Sequence, residues 1–377
     1  MTQYMDILRR YSPFIIALYF FPFGLSLAGV QIFLADIFAL ASVPVFLYLM
    51  LLGKFESGLF RRNVILLFFI AYIIIASILL RSNFVLSFIE ALQWFSLYSL
   101  LFLIGFSKAY SDSGFIHKLV VVLFLIAIFV AAYHVSTGWY ISYKKLGNSK
   151  YVFGFLCLIL FIYRDVNKSY KYLLILAVVL LFLSQERKSI LAFSLVVSVY
   201  YLSVIAGQYV KGILLVLTLT VASAVAFYIS WYGYEAVIAG MELSEFDLFA
   251  YDESEARWVS NIHRKLLISN GLDILNEHLV LGVGAKMLPY YMADYFSYDQ
   301  LAIYTHNFML DTAIEYGVVG VAILFGLYLV VMGQLYSQGF KTFYLALYAL
   351  ITILFAAVNS VVMIMFMLPL FIGVYRN

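Results

Sequence analysis

A histidine, an asparagine and two carboxylates stand where a long hydrophilic segment gives way to an apolar run: His306, Asn307, Asp311 and Glu315. Polar groups at such a boundary are either interfacial anchors or the floor of a site facing water. His306 is the titratable candidate there, because unperturbed imidazole has a pKa of about 6.5 and accepts a proton near neutral pH. A second polar patch, Ser184-Gln185-Glu186-Arg187-Lys188-Ser189, interrupts an earlier apolar run. Arg187 and Lys188 there, Lys150 before another run, and Arg257 and Arg264 in the hydrophilic segment offer fixed positive charge. A guanidinium grips a phosphate or pyrophosphate in bidentate fashion, so these cations suit an anionic ligand. The competing reading is snorkelling to lipid phosphates for each cation, and a satisfied interfacial ring for His306.

The elements that must position these groups are membrane helices. Of 377 residues, 65% are hydrophobic and 11% charged, and mean hydropathy is +1.01. Many apolar runs approach the roughly 20 residues that cross a hydrocarbon core. The expected fold is therefore all-α, a polytopic transmembrane bundle. Spans are expected at 13–29, 31–52, 63–80, 84–107, 116–137, 151–163, 170–184, 189–206 and 211–232, then at 306–332. Residues 343–375 are too long for one span and read as two, turning at Asn359-Ser360. That makes about twelve spans, with eleven as the alternative. The chain divides into residues 1–232 with nine spans, 233–304 as one large loop, and 305–377 with the last three. The single cysteine, Cys157, excludes an intrachain disulfide. Residues 1–10 read as a short polar leader with no signal-peptide cleavage site after it, which leaves the first span as the targeting signal.

Short-loop charges set the orientation. With the N-terminus inside, Arg9, Arg10, Arg61, Arg62, Arg164, Lys168 and Lys171 fall on the inner side, in keeping with the positive-inside rule. Both termini are then cytoplasmic, and the large loop and Arg187 share the outer face. The loop has an acidic stretch over 241–255, which a solvated face explains. It then has an amphipathic pattern in which Trp258, Ile262, Leu266, Leu267, Gly271 and Ile274 recur at helical steps. Arg257 and Arg264 are two turns apart and share a face, and Gly271 offers a place for close packing. Gly282-Val283-Gly284 forms either a plain turn or a loop whose backbone N–H groups meet an anion. The scattered basic residues give no reason to expect nucleic acid. No Walker A loop, GxSxG elbow or HExxH motif occurs, and the 5 histidines form no ligand-spaced pair, so no metal or cofactor is expected.

His306-Asn307-x-x-Leu310 followed by Glu315-x-Gly317-x-x-Gly320 resembles the signature that opens a late span in bacterial O-antigen polymerases and O-antigen ligases. Gly282-x-Gly284, the Ser184–Ser189 turn and Gly147-Asn148 are similar to further elements of that superfamily, although His278 stands where its members often have proline. The resemblance implies a glycosyltransferase of the C type in the inner membrane, with its active site facing the periplasm. It implies an undecaprenyl-pyrophosphate-linked glycan as donor, no metal, and catalytic roles for His306, Arg187 and Arg264. Arg257, Lys188, Lys150, Asn307, Gly282 and Gly284 would contact substrate. Polymerisation is the first expectation, with membrane lipids and a chain-length regulator as partners, and ligation to lipid A–core is the alternative. A transporter or flippase is the reading from another class. It would call for polar residues at mid-membrane depth, for which Asp36, Glu90 and Gln93 are the candidates.

Overall fold

A computed structural model describes residues 2–21, 24–27, 30–54, 57–80, 82–111, 113–136, 150–184, 187–205, 256–293, 304–305, 307–339, 341–354 and 360–375. For some of these, Arg187, Arg257 and Arg264 among them, only the backbone is described. The helices are α1 (Thr2–Leu18), α2 (Leu34–Leu51), α3 (Ser57–Leu80), α4 (Phe84–Phe106) and α5 (Ser113–Ser136). They continue with α6 (Tyr151–Ile162), α7 (Ser169–Leu183), α8 (Arg187–Ile205), α9 (Ala256–Glu277) and α10 (Leu288–Ala293). The last three are α11 (Phe308–Ser337), α12 (Thr342–Ile353) and α13 (Ser360–Tyr375). The expected all-α class holds, with one addition between α1 and α2.

That addition corrects the first two expected spans. Helix α1 runs from Thr2 to Leu18 and carries Pro13 internally, so residues 2–10, expected ahead of the first span, are helical. Strands β1 (Gly24–Leu27) and β2 (Val30–Phe33) then pair antiparallel, with Leu27 opposite Val30. Glycines disfavour helix here, and β-branched Val30 and Ile32 suit an extended backbone. Two residues remain between the strands, the shortest common hairpin connection.

Four described helices are long and apolar enough to cross a membrane: Leu34–Leu51, Phe84–Phe106, Gly114–Tyr133 and Phe308–Ser337. Shorter apolar helices of 10–17 residues accompany them. The run 343–375 divides into α12 and α13. The expected span at 211–232 and the acidic stretch at 241–255 lie outside the described residues.

Helix α4 lies at the centre, packed against α1, α2, α3 and α13. Apolar burial drives little association where the surroundings are themselves lipid, so shape and ring contacts hold such helices together. Phe46 of α2 meets Phe95, Tyr98 and Phe102 of α4 edge-on, at centroid distances of 5.7, 5.7 and 5.3 Å. Each such pair adds about 0.5–1.5 kcal/mol beyond the area it buries. Helix α6 is buried along its whole length and packs against α5, α7, α8 and α12. Apolar side chains such as Leu51, Phe68, Ile78, Ile175 and Leu329 point outward, as a lipid-facing surface requires.

Candidate functional site at the mouth of helix α11

Helix α9 shows the later part of the expected amphipathic stripe, while the Trp258 and Ile262 side chains lie outside the described residues. Leu267 and Ile274 are buried with Val283, Leu288, Met292 and Ile314 in a small core separate from the main bundle. Gly271 lies between them, and a Cβ there would stand 2.9 Å from both Ile314 Cδ1 and Thr305 Cγ2. The small residue thus lets α9 press against the start of α11. Arg264 precedes this contact by seven residues, about 10 Å along the helix axis, and Arg257 by about 21 Å.

The chain leaving α9 interlocks with a break in α11. At Gly317 the backbone adopts φ 67° and ψ −176°, a conformation confined almost entirely to glycine. Breaking a helix frees backbone groups, which are expensive to leave unpaired away from water. The loop after α9 pairs them. Val283 N–H donates to the Ile314 carbonyl and Gly284 N–H to the Glu315 carbonyl, both at 2.8 Å. Beyond the break, Val318 N–H donates to the Leu279 carbonyl at 2.9 Å and Val319 N–H to the Val280 carbonyl at 3.4 Å. A Cβ on Gly282 would stand 2.6 Å from the Glu315 oxygen, and one on Gly317 would collide with the Val280 carbonyl. Gly282 N–H donates to the His278 carbonyl at 2.9 Å. All three amides of Gly282-Val283-Gly284 are therefore engaged within the protein. The expected anion contact through Gly282 and Gly284 gives way to helix docking.

At the mouth itself, α11 begins at Phe308, capped by Asn307, whose side-chain oxygen accepts from Leu310 N–H at 3.1 Å. His306 lies outside the described residues. Its neighbours are held firmly. Asp311 Oδ1 accepts from Thr305 N–H at 2.8 Å and from the Thr305 hydroxyl at 2.7 Å. Asp311 therefore ties the start of α11 to the segment that leads into it.

A cross-link absent from the expected site completes this region. Lys286 Nζ stands 2.9 Å from Glu90 Oε2, and Trp94 Nε1–H donates to Glu90 Oε1 at 2.8 Å. Glu315 shares the same field, with the Lys286 backbone N–H on its carboxylate. Burial works against the Lys286 cation, but Glu90 and Glu315 outweigh it and hold its pKa above the ordinary lysine value. Burial first, then Glu315, Glu90 and Asp311, push the Tyr304 phenol up and keep it neutral. The sequence signal was weak: two isolated carboxylates in apolar runs and a lone lysine two residues after the GxG.

The other expected cations gather at the starts of α6 and α8. A Cβ on Gly154 would stand 2.7 Å from Ser189 Cβ and would collide with the Tyr348 hydroxyl, so the first turns of the two helices touch. Lys150 is the cap residue of α6, its ammonium 5.5 Å from the Tyr151 ring centroid. Arg187 opens α8, followed by the half-buried Lys188. The N-termini of α6 and α8 thus come together, with the Lys150 and Lys188 side chains among the described residues there. Lys144 and Lys145 lie outside the described residues. Among the described residues no group of three or more His, Cys, Asp or Glu could hold a metal ion.

Residues 172–325 match the sequence family described as O-antigen ligase. The matched stretch runs from α7 into α11 and so contains the start of α8, α9, the interlocked loop and the helix mouth. No curated protein matches the chain.

Proposed function

We propose, for a chain whose residues 172–325 carry the signature of the O-antigen ligase and polymerase superfamily, that it is a membrane glycosyltransferase acting as an O-antigen polymerase. It moves a growing glycan from undecaprenyl pyrophosphate to a lipid-linked repeat unit at the periplasmic face of the inner membrane. The acceptor hydroxyl attacks the anomeric carbon as the bond to the pyrophosphate oxygen breaks. Arg187 and Arg264 stabilise the negative charge that develops on that oxygen, with Lys150, Lys188 and Arg257 lending further positive potential. His306 takes the hydroxyl proton. In this scheme fixed cations do the work that a metal ion does elsewhere.

The observation that carries this reading is the contact of Gly271 with Thr305, the residue before His306. Through it the helix bearing Arg264 and the segment bearing His306 become one unit. Arg264 is the nearer arginine by two turns, which supports it over Arg257. Asn307, Gly282 and Gly284 contribute by shaping the mouth.

Ligation of finished glycan to lipid A–core is the second reading, favoured by the description of the matched family. It uses the same donor and the same residues. A flippase gains no support, since Glu90 is held in an ion pair with Lys286. Lipopolysaccharide from a deletion strain separates the two enzymes: core with a single repeat identifies a polymerase, and bare core identifies a ligase. A normal ladder would overturn both. A chain-length regulator as partner belongs to the polymerase reading.

A further inference from the structure

Lys286 joins three elements that are distant in sequence. Its ammonium meets Glu90 of α4, its backbone N–H meets the Glu315 carboxylate of α11, and its loop fills the break at Gly317. It does so with φ 57°, a left-handed conformation that side chains rarely adopt and that persists only where the surroundings enforce it. Glu90 and Glu315 are 5% and 6% exposed, and Glu315 Oε1 has no hydrogen-bond partner among the described residues. Burying this much charge is a poor way to gain stability, since apolar residues of similar volume would serve as well or better.

We propose that the Glu90–Lys286–Glu315 cluster is a positioning device that fixes the angle of the short helical segment before Gly317 relative to the remainder of α11, and so aims the mouth of α11 at the substrate. The inference rests on the proposed function only for its kinetic consequence. Residues 308–316 carry the Asn307 cap and, through Asp311, hold Thr305. Their direction is free of the rest of α11 because the helix is broken at Gly317. The loop can set that direction only while it is itself anchored, and the Lys286–Glu90 pair supplies the anchor on α4. Lys286, Glu90 and Glu315 are positioning residues and need touch no substrate.

The test reads geometry and turnover separately. Cys157 is the only cysteine and is buried, so a Cys157→Ala background accepts paired spin labels at Met309→Cys and Leu329→Cys, exposed sites on either side of the break. A straight helix would separate these positions by about 30 Å. In the otherwise unaltered protein the distance distribution is expected to be narrow. Lys286→Met should broaden or shift it, and without the labels should lower kcat by about 10²-fold, the effect of misplaced reacting groups, with KM little changed. Lys286→Arg should restore both. If Lys286→Met does not accumulate in the membrane, Glu90→Gln removes the same pair and is read in the same way. An unchanged distribution in the variant overturns the proposal, and so does an altered distribution with normal turnover. Full activity of a His306→Gln protein would sink the base assignment instead, leaving the label distances to judge the cluster.

Discussion

The residues on either side of His306 are pinned: Thr305 by Asp311, Asn307 by its bond to Leu310 N–H. None of these bonds involves the side chain at 306, so a substitution there should leave them in place. Glutamine at 306 keeps a hydrogen-bonding side chain but cannot take the acceptor proton, so turnover should fall by about two to four orders of magnitude. Polymer synthesis from purified lipid-linked repeat, with chelator present, checks this, and near wild-type turnover would reduce His306 to an interfacial anchor. Loss of synthesis on adding chelator to the unaltered protein would end the metal-free scheme. Arg187→Ala and Arg264→Ala should each abolish synthesis while the protein stays in the membrane. Lysine should rescue both poorly, because it lacks the planar fork that grips two phosphate oxygens. Arg257→Ala should be milder, since that residue stands two turns farther from the Gly271 contact.

The break in α11 is an element whose meaning lies in its partner. Gly317→Ala meets two penalties at once: a backbone conformation almost closed to other residues, and a methyl group driven into the Val280 carbonyl. Strain of this kind costs about 1–3 kcal/mol before the collision is counted. Gly326 lies in the same helix, and a methyl carbon added there would meet nothing within 4 Å. Gly326→Ala should therefore leave stability unchanged or raise it by up to about 1 kcal/mol. Thermal unfolding of the two proteins in detergent should show a clear drop in Tm for the first alone. Equal Tm values would mean that the loop can move aside. The contact of Gly154 with Ser189 does for α6 and α8 what the interlock does for α9 and α11, bringing two helix starts together by leaving out a side chain.

For the whole molecule the decisive property is sidedness. The transfer scheme needs the starts of α6, α8 and α11 on one face, with the 233–304 segment beside them. Cysteines introduced singly into a Cys157→Ala background should react with an impermeant maleimide in intact spheroplasts when placed near Asp252 or Asn83. Those placed near Lys168 or Arg376 should react only after the membrane is opened. Labelling near Asp252 that required permeabilisation would overturn the mechanism, because donor pyrophosphate and acceptor would then face the wrong compartment.

Composition alone determined that the chain is a helical membrane protein, because long apolar runs have few alternatives to a membrane. Helical spacing likewise determined the buried stripe of Leu267, Gly271 and Ile274, and the length of 343–375 implied its division into α12 and α13. Those are properties of neighbours in the chain. The hairpin at Gly24–Phe33 was hidden, since a short apolar stretch reads equally well as part of a span. The Glu90–Lys286–Glu315 cluster was hidden more deeply. Its members lie on α4, a loop and α11, and an isolated carboxylate in an apolar run does not say which cation it meets. The role of Gly282-Val283-Gly284 turned for the same reason. Whether an amide is available to a ligand depends on which carbonyl lies opposite it, and only the packed loop and the broken helix decide that.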